Sequence, residues 1–176
     1  MNAIRYLIFL ALIAMVNAEE LAVTVLASLD SERIAATGMK TEVKSDMPDF
    51  TITYLRGPAT ADVIGIYEGG HPSPFSARGK RLGEVKDSIA GQSVVWTCWS
   101  QEVEGKTHYG AEALFPSRRT VILVGEKKDE LMEQFHVFIY RGDLSSLVTA
   151  RKLAASIIKQ GPSKMPGPTP QGGAHR

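Results

Sequence analysis

The sequence predicts an α+β fold, an antiparallel β-meander sheet with a C-terminal helix packed on one face. From Phe50 onward, apolar and polar residues alternate in short runs, and Gly, Pro or charged clusters separate these runs. In one segment near the C-terminus, apolar residues instead recur with the helical period of about 3.6 residues. Alternation places every second side chain on one sheet face, so the sheet has an apolar face that the helix can cover.

The first two runs predict a β-hairpin. They cover 50–55 and 62–67, and Gly57 and Pro58 between them favour a turn. In the first run, alternation puts the three largest side chains on one face. These are Phe50, Ile52 and Tyr54.

The remaining runs are separated by Ala90–Gly91, Gly105, Pro116 and a charged turn at 125–129. Because proline has no N–H to donate to a sheet, we expect a strand to stop at Pro116. The predicted strands cover 82–89, 92–101, 107–115, 120–124 and 130–140.

The C-terminal helix is predicted by apolar residues at helical spacing. Asp143 or Ser145 can cap its start, and Gly161–Pro162 can end it. The segment 21–47 stays ambiguous, since 21–26 suits a strand and 29–36 suits a short helix. The apolar stripe of the C-terminal helix consists of Leu147, Ala150, Ala154, Ile157 and Ile158.

The N-terminus has the pattern of a cleavable secretory signal peptide. Arg5 supplies the positive charge, residues 6–16 form an apolar run too short to span a bilayer, and the small residues Val16 and Ala18 precede Glu19. An uncleaved anchor or a buried N-terminal helix is the alternative. We therefore predict a signal peptide at 1–18, a single globular α+β domain at 19–160 and a disordered Pro/Gly-rich tail at 161–176.

The composition restricts where the protein acts and what it binds. Arg5 is the only charged side chain that cleavage would remove, and 19 basic and 19 acidic residues would remain. A neutral chain argues against nucleic acid as a partner, because such binding depends on summed positive potential. Cys98 is the only cysteine, so no intramolecular disulfide can form. We predict a bacterial periplasmic or secreted protein with no transmembrane anchor after cleavage.

The segment from Gly69 to Arg81 is the predicted binding loop, because its glycines let the backbone bend or approach a ligand closely. The alternative is an ordinary strand exit stiffened by proline. The residues that would form the binding loop are Glu68, Gly69, Gly70, His71, Ser73 and Phe75.

Two tryptophans and the cysteine share one predicted strand. Alternation puts Trp96 and Cys98 on one face and Trp99 on the other, so the tryptophans are candidates for surface aromatics, with packing inside the protein as the alternative. Cys98 could act as a nucleophile with His108 in a hydrolase or thiol enzyme, or it could be an inert buried thiol.

The sequence predicts neither a metal nor a cofactor. His71, His108 and His136 come from separate elements without the short spacing of zinc motifs. We expect a non-enzymatic binding or accessory module whose partner is a protein or a small ligand. The alternatives are the Cys98 enzyme and an envelope-associated structural factor that uses its tail as a tether.

Overall fold

A computed structural model describes residues 18–47, 49–57, 63–74, 76, 79–124 and 127–162. Several sequence predictions concern segments outside these ranges. The signal peptide up to residue 17, the turn residue Pro58, the loop residue Phe75, the start of the charged turn at 125–126 and the tail beyond Pro162 lie outside the described residues.

Within the described residues the chain forms ten strands and two helices, so the α+β class holds, but the fold is largely β. All strand pairs are antiparallel. In chain order the elements are β1 (Ala18–Val25), β2 (Ala27–Leu29), α1 (Ser31–Ala36), β3 (Lys40–Met47), β4 (Phe50–Arg56), β5 (Val63–Gly69), β6 (Lys80–Ile89), β7 (Gln92–Val103), β8 (Lys106–Val124), β9 (Lys127–Arg141), α2 (Leu144–Ser156) and β10 (Ile158–Gln160).

The main sheet is not one continuous meander, and this part of the fold prediction was wrong. Its order is β3-β4-β5-β9-β8-β7-β6, with β1 added beside the second half of β8. The predicted β4–β5 hairpin is confirmed, but β5 then pairs with β9 instead of β6. A physical reason lies in the strands themselves. β6 is rich in charged residues and suits an edge, whereas the apolar β5 needs a partner on both sides.

β8 continues past Pro116, which corrects the expectation that the strand stops there. Pro116 pairs with Gln134 and Arg118 pairs with Glu133, so the register shifts by one residue between them. A β-bulge at this point accommodates a residue that cannot donate a ladder hydrogen bond. The Pro116 carbonyl accepts a hydrogen bond from the Gln92 side chain, whose Nε2 lies 3.0 Å away. Beyond the bulge, β8 pairs with β1 on one side and β9 on the other.

Two tight turns in the second half of the sheet agree with the sequence prediction. Ala90 and Gly91 have φ values of 52° and 76°, and Glu104 and Gly105 have 51° and 73°. Two consecutive residues with positive φ form the mirror-image turn that matches the twist of a hairpin. These turns fix the register of β6, β7 and β8.

The C-terminal helix begins where predicted and ends earlier. Asp143 caps α2, but the helix stops after Ser156 and the chain enters β10. β10 pairs with β2, and the Gly161 N–H then donates to the Leu26 carbonyl at 3.0 Å. The apolar residues Ile157 and Ile158 remain buried, so the helical pattern extended past the true end of the helix.

The sheet has two faces with different surroundings. α2 packs against β9, β8 and β6 on what we call the helix face, and the opposite face is called the far face. Ile34 of α1 and Met39 belong to the same core. Large members of the core on the helix face and on α2 are Leu55, Ile64, Ile66, Trp96, Phe115, Phe135, Val137, Ile139 and Leu147.

The cap of α2 gives a pH-dependent prediction. The Asp143 carboxylate accepts from the Ser145 hydroxyl and the Ser146 N–H, and these bonds lower its pKa from 3.8 to about 2. A lowered pKa means that the carboxylate stabilises the fold above pH 4 and that this contribution is lost as the pH falls towards 2. Asparagine can also cap but does not titrate. We expect the melting temperature of the wild type to fall relative to Asp143→Asn between about pH 4 and pH 2.

Thermal melts from pH 5 to pH 2 check this prediction. A constant difference between the two proteins over that range would contradict it. At pH 7, Asp143→Ala is expected to lower the melting temperature by about 2–4 °C, since it removes the cap altogether.

Candidate functional site

A concave pocket of about 380 Å³ opens on the far face of the sheet. We call it the aromatic pocket. Its residues come from the turn before β4, from β4, β5 and β9, and from the segment that follows β5. The lining residues are Asp49, Phe50, Ile52, Tyr54, Tyr67, His71, Ser73, His136 and Phe138.

Strand alternation and register explain why these side chains meet. Phe50, Ile52 and Tyr54 lie on one face of β4, as the sequence predicts. Ile52 pairs with Tyr67 on β5, and Tyr67 pairs with His136 on β9. The three residues therefore form a row across the sheet, and the pocket lies over that row.

Four aromatic rings line the pocket in different orientations. Phe50 and Tyr67 stack with ring centroids 5.5 Å apart and an interplanar angle of 20°. Tyr54 and Phe138 meet edge to face at 6.0 Å and 83°. The Phe138 ring lies over Gly65, where an added Cβ would be 2.0 Å from its Cε2 atom. The absence of a side chain at Gly65 is therefore what lets the Phe138 ring occupy this position beside β5.

The segment after β5 folds back over the far face. The His71 N–H donates to the Tyr67 hydroxyl oxygen at 3.2 Å, which places the start of the segment beside the pocket. Further along, the Ser76 N–H donates to Glu112 Oε1 at 2.7 Å. Both bonds join the backbone of this segment to side chains of the sheet, and His71 and Ser73 form part of the pocket wall.

Below the loop, Glu112 and His136 form a buried pair. Glu112 Oε2 and His136 Nε2 are 2.7 Å apart, and the two residues are 1% and 2% exposed. A carboxylate bonded to one imidazole nitrogen fixes the orientation of the ring. Glu112 thus holds His136, which lines the pocket, and Ser76, which belongs to the loop.

Sequence reasoning considered His136 only as a metal ligand and missed Glu112. One signal was available, because Glu112 is the only charged residue in the otherwise apolar run 110–115. A carboxylate in such a run faces either the core or a covered surface, and it needs a partner in both cases.

The predicted binding loop divides between two sites. His71 and Ser73 line the aromatic pocket, and Gly69 approaches β4 so closely that an added Cβ would be 2.7 Å from the Phe50 Cβ. Gly70 follows directly and has open space around it. Glu68 points to the other face of the sheet.

No family model, curated protein or solved structure matches this chain.

Among the described residues, no helix is long and apolar enough to cross a membrane. Over the same part of the chain, no group of three His, Cys, Asp or Glu side chains could hold a metal ion. The three histidines do not converge, since His108 stacks on Tyr140 while His71 and His136 line the pocket.

Glu68 lies in a second cavity of about 340 Å³, which we call the acidic cleft. Burial raises the pKa of Glu68; the negative charge of Glu133 adds to this, and Arg118 opposes it. Arg118 Nη1 is 3.5 Å from Glu133 Oε2. The residues that line the acidic cleft are Met47, Asp49, Phe50, Thr51, Glu68, Arg118 and Glu133.

The two tryptophans are packed inside the protein and do not form a surface patch. Trp96 is 0% exposed in the core of the helix face, and Cys98 packs against the same core. Trp99 is 5% exposed on the far face, where it contacts Tyr140 with centroids 5.5 Å apart. The prediction that Trp96 and Cys98 share a face opposite Trp99 is confirmed.

The structure does not bring Cys98 and His108 together. Cys98 pairs with Ala111 and faces the helix-side core, whereas His108 pairs with Gln101 and stacks on Tyr140 of the far face, with centroids 5.1 Å apart. The sheet backbone therefore separates the thiol from the imidazole. A nucleophile and its base must lie within hydrogen-bonding reach, so this geometry gives no support to a Cys98 enzyme.

Proposed function

We propose that this chain is an exported, non-enzymatic binding domain that holds a small molecule in the aromatic pocket. The observation that carries the proposal is the pocket itself, which is lined by four aromatic rings together with His71 and Ser73 of the loop. Export to the periplasm or the outside is proposed from the signal-peptide pattern of the first eighteen residues.

The size and chemistry of the pocket support a small ligand. Its volume of about 380 Å³ falls in the range of ligand sites, which are concave, mostly apolar and supplied with a few oriented polar groups. Here the rings supply apolar surface, while Asp49, His71 and Ser73 supply the polar groups. A small molecule that presents apolar surface to the rings and carries one polar or charged group suits this combination.

A pair of tyrosines on the far face makes a matched test. Tyr54 lines the pocket, whereas Tyr140 lies on the same face outside it and is 37% exposed. We expect 1-naphthol, a neutral aromatic probe, to bind the wild type, and Tyr54→Ala to weaken this binding about fivefold because one ring contact is lost. Tyr140→Ala should leave the affinity unchanged.

Isothermal titration calorimetry measures the three affinities under the same conditions. Thermal melts establish that each variant is folded at the temperature of the titration. Equal losses for Tyr54→Ala and Tyr140→Ala would contradict the proposal, and so would the absence of saturable binding to the wild type.

A further inference from the structure

We propose that the ligand of the aromatic pocket carries a methylated ammonium group, as choline and betaines do. This inference rests on the proposed function and adds the ligand's chemical class. A cation beside aromatic rings is attracted by the negative charge of their faces, and cages of such rings recognise quaternary ammonium ions. Four rings line a volume large enough for one such group: Phe50, Tyr54, Tyr67 and Phe138.

The charges around the pocket favour a cation. The lining includes the acidic residue Asp49, which also lines the acidic cleft, and among the lining residues that the structure describes none is lysine or arginine. One guanidinium lies close to a ring of the pocket, since Arg56 Cζ is 5.9 Å from the centroid of the Tyr54 ring. Its Nε donates to Glu42 Oε2 at 2.8 Å, so a partner carboxylate balances its charge.

The hydrogen-bonding groups favour a methylated ammonium over a primary one. A primary ammonium has three N–H donors that need acceptors when they are buried, whereas a quaternary ammonium has none. Phe50 and Phe138 offer no acceptor, and the Tyr67 hydroxyl already accepts the His71 N–H. Acceptors such as Asp49 and Ser73 are few in a lining that is mostly apolar. A trimethylated nitrogen can use the ring surface without losing hydrogen bonds.

Choline and its uncharged isostere 3,3-dimethyl-1-butanol test the inference, because they have nearly the same shape and differ in charge. Titration calorimetry of the full folded chain is expected to give at least tenfold tighter binding of choline. Tyr54→Leu, which keeps apolar bulk without the ring, should reduce this preference to a few-fold. Tyr140→Leu should leave it unchanged.

Other results would overturn the inference in distinguishable ways. If the isostere binds as tightly as choline and 1-naphthol still binds, the ligand class is wrong and the proposed function stands. If neither choline nor 1-naphthol binds, both fail. If choline binding is lost in Glu68→Gln or Glu133→Gln but persists in Tyr54→Leu, the cation occupies the acidic cleft and the inference is wrong.

Discussion

Replacing Gly110 with alanine is expected to destabilise the protein by about 3 kcal/mol, the upper part of the range for overpacking. A Cβ at this position would lie 2.1 Å from Cζ2 of Trp99. The indole has little room to move, because Tyr140 contacts it and Gly79 approaches so closely that an added Cβ would be 3.1 Å from Cε3. Urea unfolding measures the loss.

A double-mutant cycle isolates the cause of this loss. In a Trp99→Leu background the smaller side chain leaves space, so Gly110→Ala should cost less than half as much. Gly142→Ala is the matched control, since an added Cβ there meets nothing within 4 Å. The same cost in both backgrounds would show that the indole is not what excludes a side chain at Gly110.

Glu112→Ala is expected to cost about 3 kcal/mol, the upper end of the range for removing a hydrogen-bond partner from buried polar groups. The substitution removes the partner of His136 Nε2 and the acceptor of the Ser76 N–H. We also expect faster hydrogen exchange at the Ser76 amide, because the loop loses its bond to the sheet. Denaturant unfolding and amide exchange measure the two effects.

Glu112→Gln provides the conservative comparison. Its carbonyl oxygen can still accept from Ser76, and its amide can donate to His136, so the loss should be clearly smaller than for alanine. Glu130→Gln, on the solvent-exposed ion pair with Arg119, should have no measurable effect on stability. Unchanged exchange at Ser76 in Glu112→Ala would contradict the role of Glu112 in holding the loop.

Local sequence signals were sufficient for much of the fold. Alternation predicted the β4–β5 hairpin and the opposite faces of Trp96 and Trp99, and the glycines at 91 and 105 predicted two tight turns. These features depend on residues close together in the chain. Hairpin register and side-chain face follow directly from the period of two along a strand.

Long-range pairing could not be derived in the same way. The pairing of β5 with β9 joins segments about seventy residues apart. It depends on which strands need a hydrogen-bonded neighbour on both sides. The pairing of β1 with the second half of β8 is equally non-local. At Pro116 and after Ser156, tertiary pairing overrode the local signal for a strand end and for a longer helix.

The candidate site was predicted only in part. His71 and Ser73 were identified because glycine and proline mark their loop, whereas Glu68, from the same run, faces the acidic cleft. The row from Ile52 through Tyr67 to His136 exists only once β9 lies beside β5. Local alternation therefore predicts the β4 residues of the pocket as a set, but not the strands that complete it.

The proposed ligand site lies on the far face, beside the row of side chains that Ile52 begins. A methyl NMR titration with 1-naphthol tests this location, because the ring current of the probe shifts nearby methyl signals. Ile52 lines the aromatic pocket, and Ile64 is buried on the helix face. We predict a saturable shift of the Ile52 methyl signals with Ile64 unchanged. Saturable shifts at Ile64 with none at Ile52 would contradict the proposed location, since the probe would then bind on the helix face.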